Sequence, residues 1–314
     1  MPSLQSFIFK VLTSVLSFRM NSITSISRLR AFSEKISRPL PLPDGVTLCE
    51  STLDGIPVEW IMPPASESKS MILYLHGGAW VLGWYNNHRV LAAHIGRASG
   101  SRVLAVDYRL APEYPFPAPL HDCLAVYKRL LNDGIDPNQI VIAGDSAGAN
   151  LTLAVLLTLR DAGQTLPAAA VCISPMTDLA CTGRTFNTNK DALLTAEFAL
   201  SMSRHYIGTQ DACLPLISPH YGDMTGLPPL LIQAGEDEIL LSDAERLADN
   251  ARHAGVNVTL TVWPHMWHVF HILAPYLPEA KQAIDEIGSF IRRHIVSETA
   301  GDYNKVKKIV DDIL

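Results

Sequence analysis

Ser146 sits at the centre of Gly-Asp-Ser-Ala-Gly, residues 144–148. A serine hydroxyl is a weak nucleophile at neutral pH. It needs a base to take its proton, a partner to orient that base, and hydrogen-bond donors aimed at the oxyanion of acyl transfer. The chain offers a set for each role. Three histidines, His265, His268 and His271, fall in Pro-His-Met-Trp-His-Val-Phe-His, and three adjacent acids, Glu236, Asp237 and Glu238, follow an apolar run. Leu-His-Gly-Gly-Ala-Trp, residues 75–80, supplies bare backbone amides. Spacing alone leaves open which of the three acids turns inward.

The elements around these residues decide whether they can meet. Ser146 follows the apolar run Ile-Val-Ile-Ala and precedes Ala-Asn-Leu-Thr-Leu-Ala-Val-Leu-Leu, a strand over about 139–143 and a helix over about 147–161. Strand first and helix second is the setting of a nucleophile elbow; the alternative is an ordinary glycine-rich turn with a capping serine. The Ala147 amide, at the helix start, is free for an anion. Gly77 and Gly78, with the Ala79 amide as a further donor, join Ala147 as the expected oxyanion donors. His76 is expected to hold its own loop rather than act as the base. A carboxylate just beyond a sheet strand can reach a histidine, and the order serine, acid, histidine is that of this hydrolase type.

The rest of the chain alternates strand and helix signals. Apolar runs at 71–78, ending in glycines, at 101–108 and at 227–235 read as buried strands. Residues 87–99, 118–134 and 278–295 read as helices, and Val46–Pro63 as two short strands joined at Asp54-Gly55. This rhythm implies an α/β fold with a mostly parallel sheet covered on both faces. Residues 176–226 break the rhythm as an insertion of short helices. Residues 1–36 read as amphipathic helix that packs over another surface, with surface-membrane association as the alternative. The apolar stretch near the start is interrupted by Lys10 and serines, which argues against a membrane span, and it lacks the pattern of a secretory leader.

In composition, 48% of the 314 residues are hydrophobic and 18% charged, with a net charge of −6. That suits a sizeable core and speaks against nucleic-acid binding. Five scattered cysteines without a Cys-x-x-Cys pair indicate neither a zinc site nor a disulfide framework; free thiols in a reducing cytoplasm are the expectation.

From about residue 40 to 295 the chain resembles the hormone-sensitive-lipase-like branch of the α/β-hydrolase carboxylesterases. The likeness is carried by His-Gly-Gly-Ala-Trp, by Asp-Tyr-Arg-Leu-Ala-Pro-Glu-Tyr-Pro-Phe-Pro-Ala-Pro-Leu-His-Asp at 107–122, by Gly-Asp-Ser-Ala-Gly-Ala-Asn-Leu, by Gly-Glu-Asp-Glu-Ile-Leu-Leu-Ser-Asp-Ala, and by His-Val-Phe. The resemblance implies an α/β-hydrolase fold with a helical cap and a serine carboxylesterase acting on short- to medium-chain acyl esters without metal or other cofactor. It implies Ser146 as nucleophile, Asp237 as acid and His268 as base, with His265 and His271 in lesser roles. It also implies that Asp107, Tyr108 and Arg109 brace the oxyanion loop. The family often has a third glycine where this chain has Ala79, whose methyl narrows the space while its amide remains. The resulting domain expectation is a cap built from residues 1–40 and 176–226, a core from 41–175 and 227–298, and a tail over 299–314. Trp80, Trp84 and Tyr206, together with Phe186 and Leu193, are expected to shape the substrate pocket. A small-molecule ester is the expected partner; membrane association is not expected, and two copies can pair through the last strand. An aryl formamidase or amidase using the same groups, and a non-catalytic receptor on this fold, are the competing readings.

Overall fold

In the computed structural model, residues 2–64, 70–188 and 191–295 are described; the expected tail over 299–314 lies outside them. Eight strands form one sheet: β1 (Thr47–Leu53), β2 (Ile56–Met62), β3 (Met71–Leu75), β4 (Arg102–Val106), β5 (Ile140–Asp145), β6 (Ala169–Ile173), β7 (Leu230–Gly235) and β8 (Val258–Trp263), in the order β1-β2-β4-β3-β5-β6-β7-β8. β3 to β8 run parallel, while β1 and β2 pair antiparallel at one edge and β2 joins β4 antiparallel. Asp54 and Gly55, at the tip of the β1–β2 hairpin, both have positive φ, which matches the right-handed twist of the flanking strands.

Every residue of β3, β4, β5, β6 and β7 is buried. That is why these strands read as continuous apolar runs rather than alternating ones: both faces are covered. α4 (Ala118–Asn132), α5 (Ala147–Asp161) and α7 (Leu241–His253) contribute to one core layer, α3 (Asn86–Ser99) and α8 (Pro278–His294) to the other. The predicted 147–161 helix is α5 in full; the predicted 139–143 strand extends to Asp145.

Three further helices lie over the C-terminal ends of the parallel strands, where they line a cavity with Ser146: α1 (Leu4–Asn21), α2 (Ile26–Ser37) and α6 (Ala196–Ile207). α1 starts at Ser3, whose Oγ accepts from the Ser6 amide at 3.1 Å, an N-cap bond. α2 is fastened by Arg30, which donates to the Val81 and Ala111 carbonyls and forms a two-pronged pair with Glu113 at 2.8 Å. The 176–226 segment carries α6 and is tied to α5 by Asn150, whose Nδ2 donates to the Met176 and Ile217 carbonyls, both at 2.9 Å.

The turn from β5 into α5 fixes everything that follows. Ser146 has φ 53° and ψ −115°, a conformation that non-glycine residues rarely adopt. A Cβ on Gly144 would strike the Gly148 backbone, and one on Gly148 would strike the Leu75 carbonyl. The two glycines therefore exist so that helix, turn and neighbouring strand can touch backbone to backbone. Gly148→Ala is expected to lower stability by about 1–3 kcal/mol, the usual cost of overpacking, read as a shift in the urea midpoint; an unchanged midpoint would refute the close contact.

Candidate active site

Ser146 Oγ lies 2.9 Å from His268 Nε2, and His268 Nδ1 lies 3.0 Å from Glu238 Oε2. The hydroxyl donates to one ring nitrogen and the other nitrogen donates to the carboxylate. This chain of hydrogen bonds is almost closed to water: His268 and Glu238 are buried and Ser146 nearly so.

The partner of His268 is Glu238, not Asp237, which corrects the expectation drawn from the resemblance. Asp237 turns the other way and pairs with Lys10 of α1. Adjacent residues point to different sides as the chain leaves β7, and the inward side goes to Glu238 because buried Ile239, Leu240 and Leu241 follow it. The second oxygen of Glu238 is also satisfied. Oε1 accepts from the Gly235 amide at 2.5 Å and from Ser174 Oγ at 2.7 Å. Ser174, at the end of β6, accepts in turn from the Val269 amide at 3.1 Å, so one hydroxyl ties the acid loop to the histidine loop.

Burial alone would push the imidazole of His268 down. The Glu238 hydrogen bond and charge, with smaller help from Asp191 and Asp145, outweigh it and leave the pKa above the ordinary 6.5. His271, buried without such partners, is pushed down to about 3; its Nε2 bonds Gln233 Oε1 at 2.9 Å. His265 is exposed beside Glu236. Neither reaches Ser146.

The oxyanion side also differs from expectation at one residue. The Gly77 amide is already committed, donating to Asp145 Oδ1 at 3.0 Å, and a Cβ on Gly77 would collide with the same carboxylate. Gly77 therefore serves close approach rather than donation. Among the described residues, the amides of Gly78, Ala79 and Ala147 have no protein acceptor, and all three residues adjoin Ser146 or line its cavity. Gly78 (φ 101°) and Ala79 (φ 54°) bend the loop through left-handed conformations. His76 holds it from beneath: its Nδ1 donates to the Gly77 carbonyl at 2.7 Å, its ring stacks on Tyr108 at 4.2 Å, and the Tyr108 hydroxyl donates to the His76 carbonyl at 2.7 Å. Burial pushes His76 down to about 3. Arg109 instead pairs with Asp122.

Trp80, Trp84 and Tyr206 do not line the cavity. Trp80 stacks on Tyr206 at 4.4 Å within the core, and Trp84 donates to Glu59 Oε2 at 2.5 Å. Phe186 is likewise core, whereas Leu193 does line the cavity. Much of the remaining wall comes from residues the sequence does not single out, among them Leu16 and Met20 of α1, Ile36 of α2, Leu82 and Phe198 of α6, with Tyr85 and Trp267 as its other aromatic members.

Two carboxylates went unread in the sequence. Asp145, beside Ser146, accepts from the Tyr74 hydroxyl at 2.6 Å as well as from Gly77, and so pins the loop over residues 76–80 to the elbow. Asp191, half-buried beside His268, is pushed up to about 6, chiefly by desolvation. Its Oδ1 accepts from the amides of Leu193 at 2.9 Å and His268 at 3.3 Å, and its Oδ2 from that of Ile239 at 3.3 Å. Asp145 could have been suspected from its place next to Ser146; nothing in the irregular 176–226 segment singles out Asp191. Ligand atoms of Asp191, Glu238 and His268 lie within 4.8 Å of one another, but both His268 nitrogens are engaged by Ser146 and Glu238 and the Asp191 oxygens by amides, which favours a hydrogen-bonded relay over a cation site.

A family model described as alpha/beta hydrolase fold matches residues 72–272. An acetyl-hydrolase of Streptomyces hygroscopicus is 47% identical over 243 residues, covering 77% of this chain and 81% of its own. A putative acetyl-hydrolase of Mycobacterium tuberculosis, LipR, is 39% identical over 81% of this chain and 82% of its own. A solved structure of an esterase from the bacterial hormone-sensitive lipase family is 42% identical, with a TM-score of 0.89 over 94% of this chain and 100% of that one. The sheet order, the elbow at Ser146 and these likenesses together show that the chain belongs to the α/β-hydrolases, in the bacterial hormone-sensitive-lipase group of esterases.

Proposed function

We propose that the chain is a serine carboxylesterase that hydrolyses short- to medium-chain acyl esters of small molecules in two steps. The observation that carries the reading is the unbroken relay from Ser146 through His268 to Glu238. His268 takes the Ser146 proton as Oγ attacks the ester carbonyl. Gly78, Ala79 and Ala147 amides receive the oxyanion, and Glu238 fixes the imidazole tautomer and stabilises its charged form. The imidazolium then protonates the departing alcohol. Water, deprotonated by the same ring, attacks the acyl-enzyme; the bond from the acyl carbon to Ser146 Oγ then breaks, the acid leaves, and the imidazolium returns the proton to Ser146.

The cavity above Ser146 has a volume of about 290 Å³, at the small end for ligand sites, and its apolar walls favour a short acyl group. Residues 1–40 and 176–226 act as the cap over it. The names of the relatives are those of acetyl- and ester-hydrolases, which favours esters over formamides. Among the described residues no helix is long and apolar enough to cross a membrane, and we place the chain in the cytoplasm, where unpaired cysteines stay reduced.

Two measurements test this reading. Across p-nitrophenyl esters of increasing acyl length, set beside an aryl formamide, turnover is expected to peak at short chains and to fall at least about a thousandfold in Ser146→Ala. Unchanged turnover in that variant, or a preference for the formamide, would overturn it. The choice of acid is tested separately. Glu238→Gln is expected to lower kcat by about three to four orders of magnitude, as when a triad loses its tautomer-fixing carboxylate, while Asp237→Asn stays near wild type. In the wild type only neutral His268 can act as base, so kcat/KM should rise with pH through a midpoint above 6.5. In Glu238→Gln burial prevails and the midpoint moves down.

A further inference from the structure

α1 is attached to the protein by polar ties together with Phe9, which stacks on Tyr276 at 5.7 Å, and with Leu16 and Met20 at the cavity. Ser3 bonds Glu279 through its amide at 2.7 Å and its hydroxyl at 2.9 Å, Lys10 pairs with Asp237, and Ser17 Oγ donates to the Leu193 carbonyl at 2.7 Å. The opposite side is apolar and faces outward. Leu4, Phe7, Val11, Leu12, Val15 and Phe18 all stand exposed, Phe7 at 69% and Phe18 at 77% of their accessible surface. Their spacing of three and four residues makes one stripe, about 21 Å long at the helical rise. A surface helix that serves only a core keeps its apolar residues on the inner side; α1 carries this further stripe on the outside.

Charge singles out what would cover the stripe. Residues 1–40 contain six Lys and Arg and one Glu, a net +5 in a chain whose total is −6, so the remaining residues carry −11. Among the described residues Arg19, Arg28 and Lys35 are exposed or solvent-facing with no carboxylate partner, and α1 has no acidic residue. A helix with exposed aromatic and aliphatic residues, an unpaired Arg19 and no acid, within a segment of net +5, suits an anionic lipid–water interface. A second copy of this helix would bring cation against cation.

We propose that the outer face of α1 docks on an anionic lipid surface, with Phe7 and Phe18 entering the headgroup–acyl boundary and Arg19 among the anionic headgroups. The inner face of the same helix roofs the cavity through Thr13, Leu16 and Met20, so the lipid surface lies one helix diameter, about 10 Å, from the cavity above Ser146. Resting on the esterase reading, this adds a substrate class: acyl esters dissolved in a lipid layer.

The test uses the full chain with vesicles of phosphatidylcholine alone or mixed with phosphatidylglycerol, read by co-sedimentation, beside turnover of dissolved p-nitrophenyl butyrate. Wild type is expected on the mixed vesicles, less on the neutral ones, and less again as salt screens the cations. Phe7→Ser with Phe18→Ser should cut the bound fraction about tenfold or more, as two aromatic side chains no longer leave water, with dissolved-ester turnover retained. Arg19→Glu should weaken binding to the mixed vesicles only. Wild type that fails to sediment with the mixed vesicles overturns the proposal, as does binding unaffected by both variants. A vesicle-free dimer that the Phe variant dissociates, with no vesicle binding, assigns the stripe to a second copy instead and equally overturns it. Failure of dissolved-ester turnover in the wild type would count against the esterase reading and leaves the sedimentation result standing.

Discussion

The strained backbone of Ser146 is the constraint on which the site rests. A left-handed φ at a non-glycine residue costs on the order of 1–3 kcal/mol, and it persists here because nothing around it can relax. β5 and the start of α5 are buried on all sides, and Gly144 and Gly148 lie in backbone contact with each other and with β3. Straightening the turn would pull α5 off the sheet. The strain lifts the hydroxyl clear of both elements and leaves the Ala147 amide unpaired beside it, so one local distortion presents the proposed nucleophile and one proposed oxyanion donor together.

The other parts are brought to that point by contacts between loops. Asp145 holds the Gly77 loop, Ser174 joins the Glu238 loop to the Val269 loop, and Asp191 reaches from the segment beside α6 to the amides of both Ile239 and His268. Asp145 and Ser174 are buried, Asp191 is half-buried, and each is bonded to main chain. Loss of any one strands amides in a dry interior, where an unmet hydrogen bond costs about 1–3 kcal/mol. The loops are thus stiff without belonging to regular structure, which is what a preorganised oxyanion site requires.

This division explains what was legible in the sequence. The strands and helices could be read because burial on both sheet faces forces apolar runs, and helices between parallel strands force the alternation. The Ser146 elbow and His268 could be read from motif and chain order. The acid could not: Asp237 and Glu238 are chemically alike and adjacent, and the direction in which each leaves β7 depends on the buried Ile239–Leu241 stretch and on Lys10, over two hundred residues away. Gly77 was misread for a similar reason, since its amide is consumed by a carboxylate 68 positions distant.

The aromatic residues show a further limit and what it means for specificity. Trp80, Trp84 and Tyr206 are the residue types expected in a ligand pocket, but the same surface area that favours binding favours burial in a core. Trp80 follows the oxyanion loop directly and Tyr206 sits on α6, so their stacking links the donor loop to the helix that carries the pocket residue Phe198. The Phe116 amide, bonded to the Tyr206 carbonyl at 2.8 Å, secures the same helix from the core side. Pocket shape is therefore set one layer behind its surface. The walls that an acyl chain touches are mostly leucines and isoleucines, with Met20 and the aromatic Tyr85, Phe198 and Trp267, and three of their sources, α1, α2 and the segment around α6, are joined to the core by a few polar ties. Changes in those ties would alter which acyl groups fit while leaving the relay at Ser146 untouched.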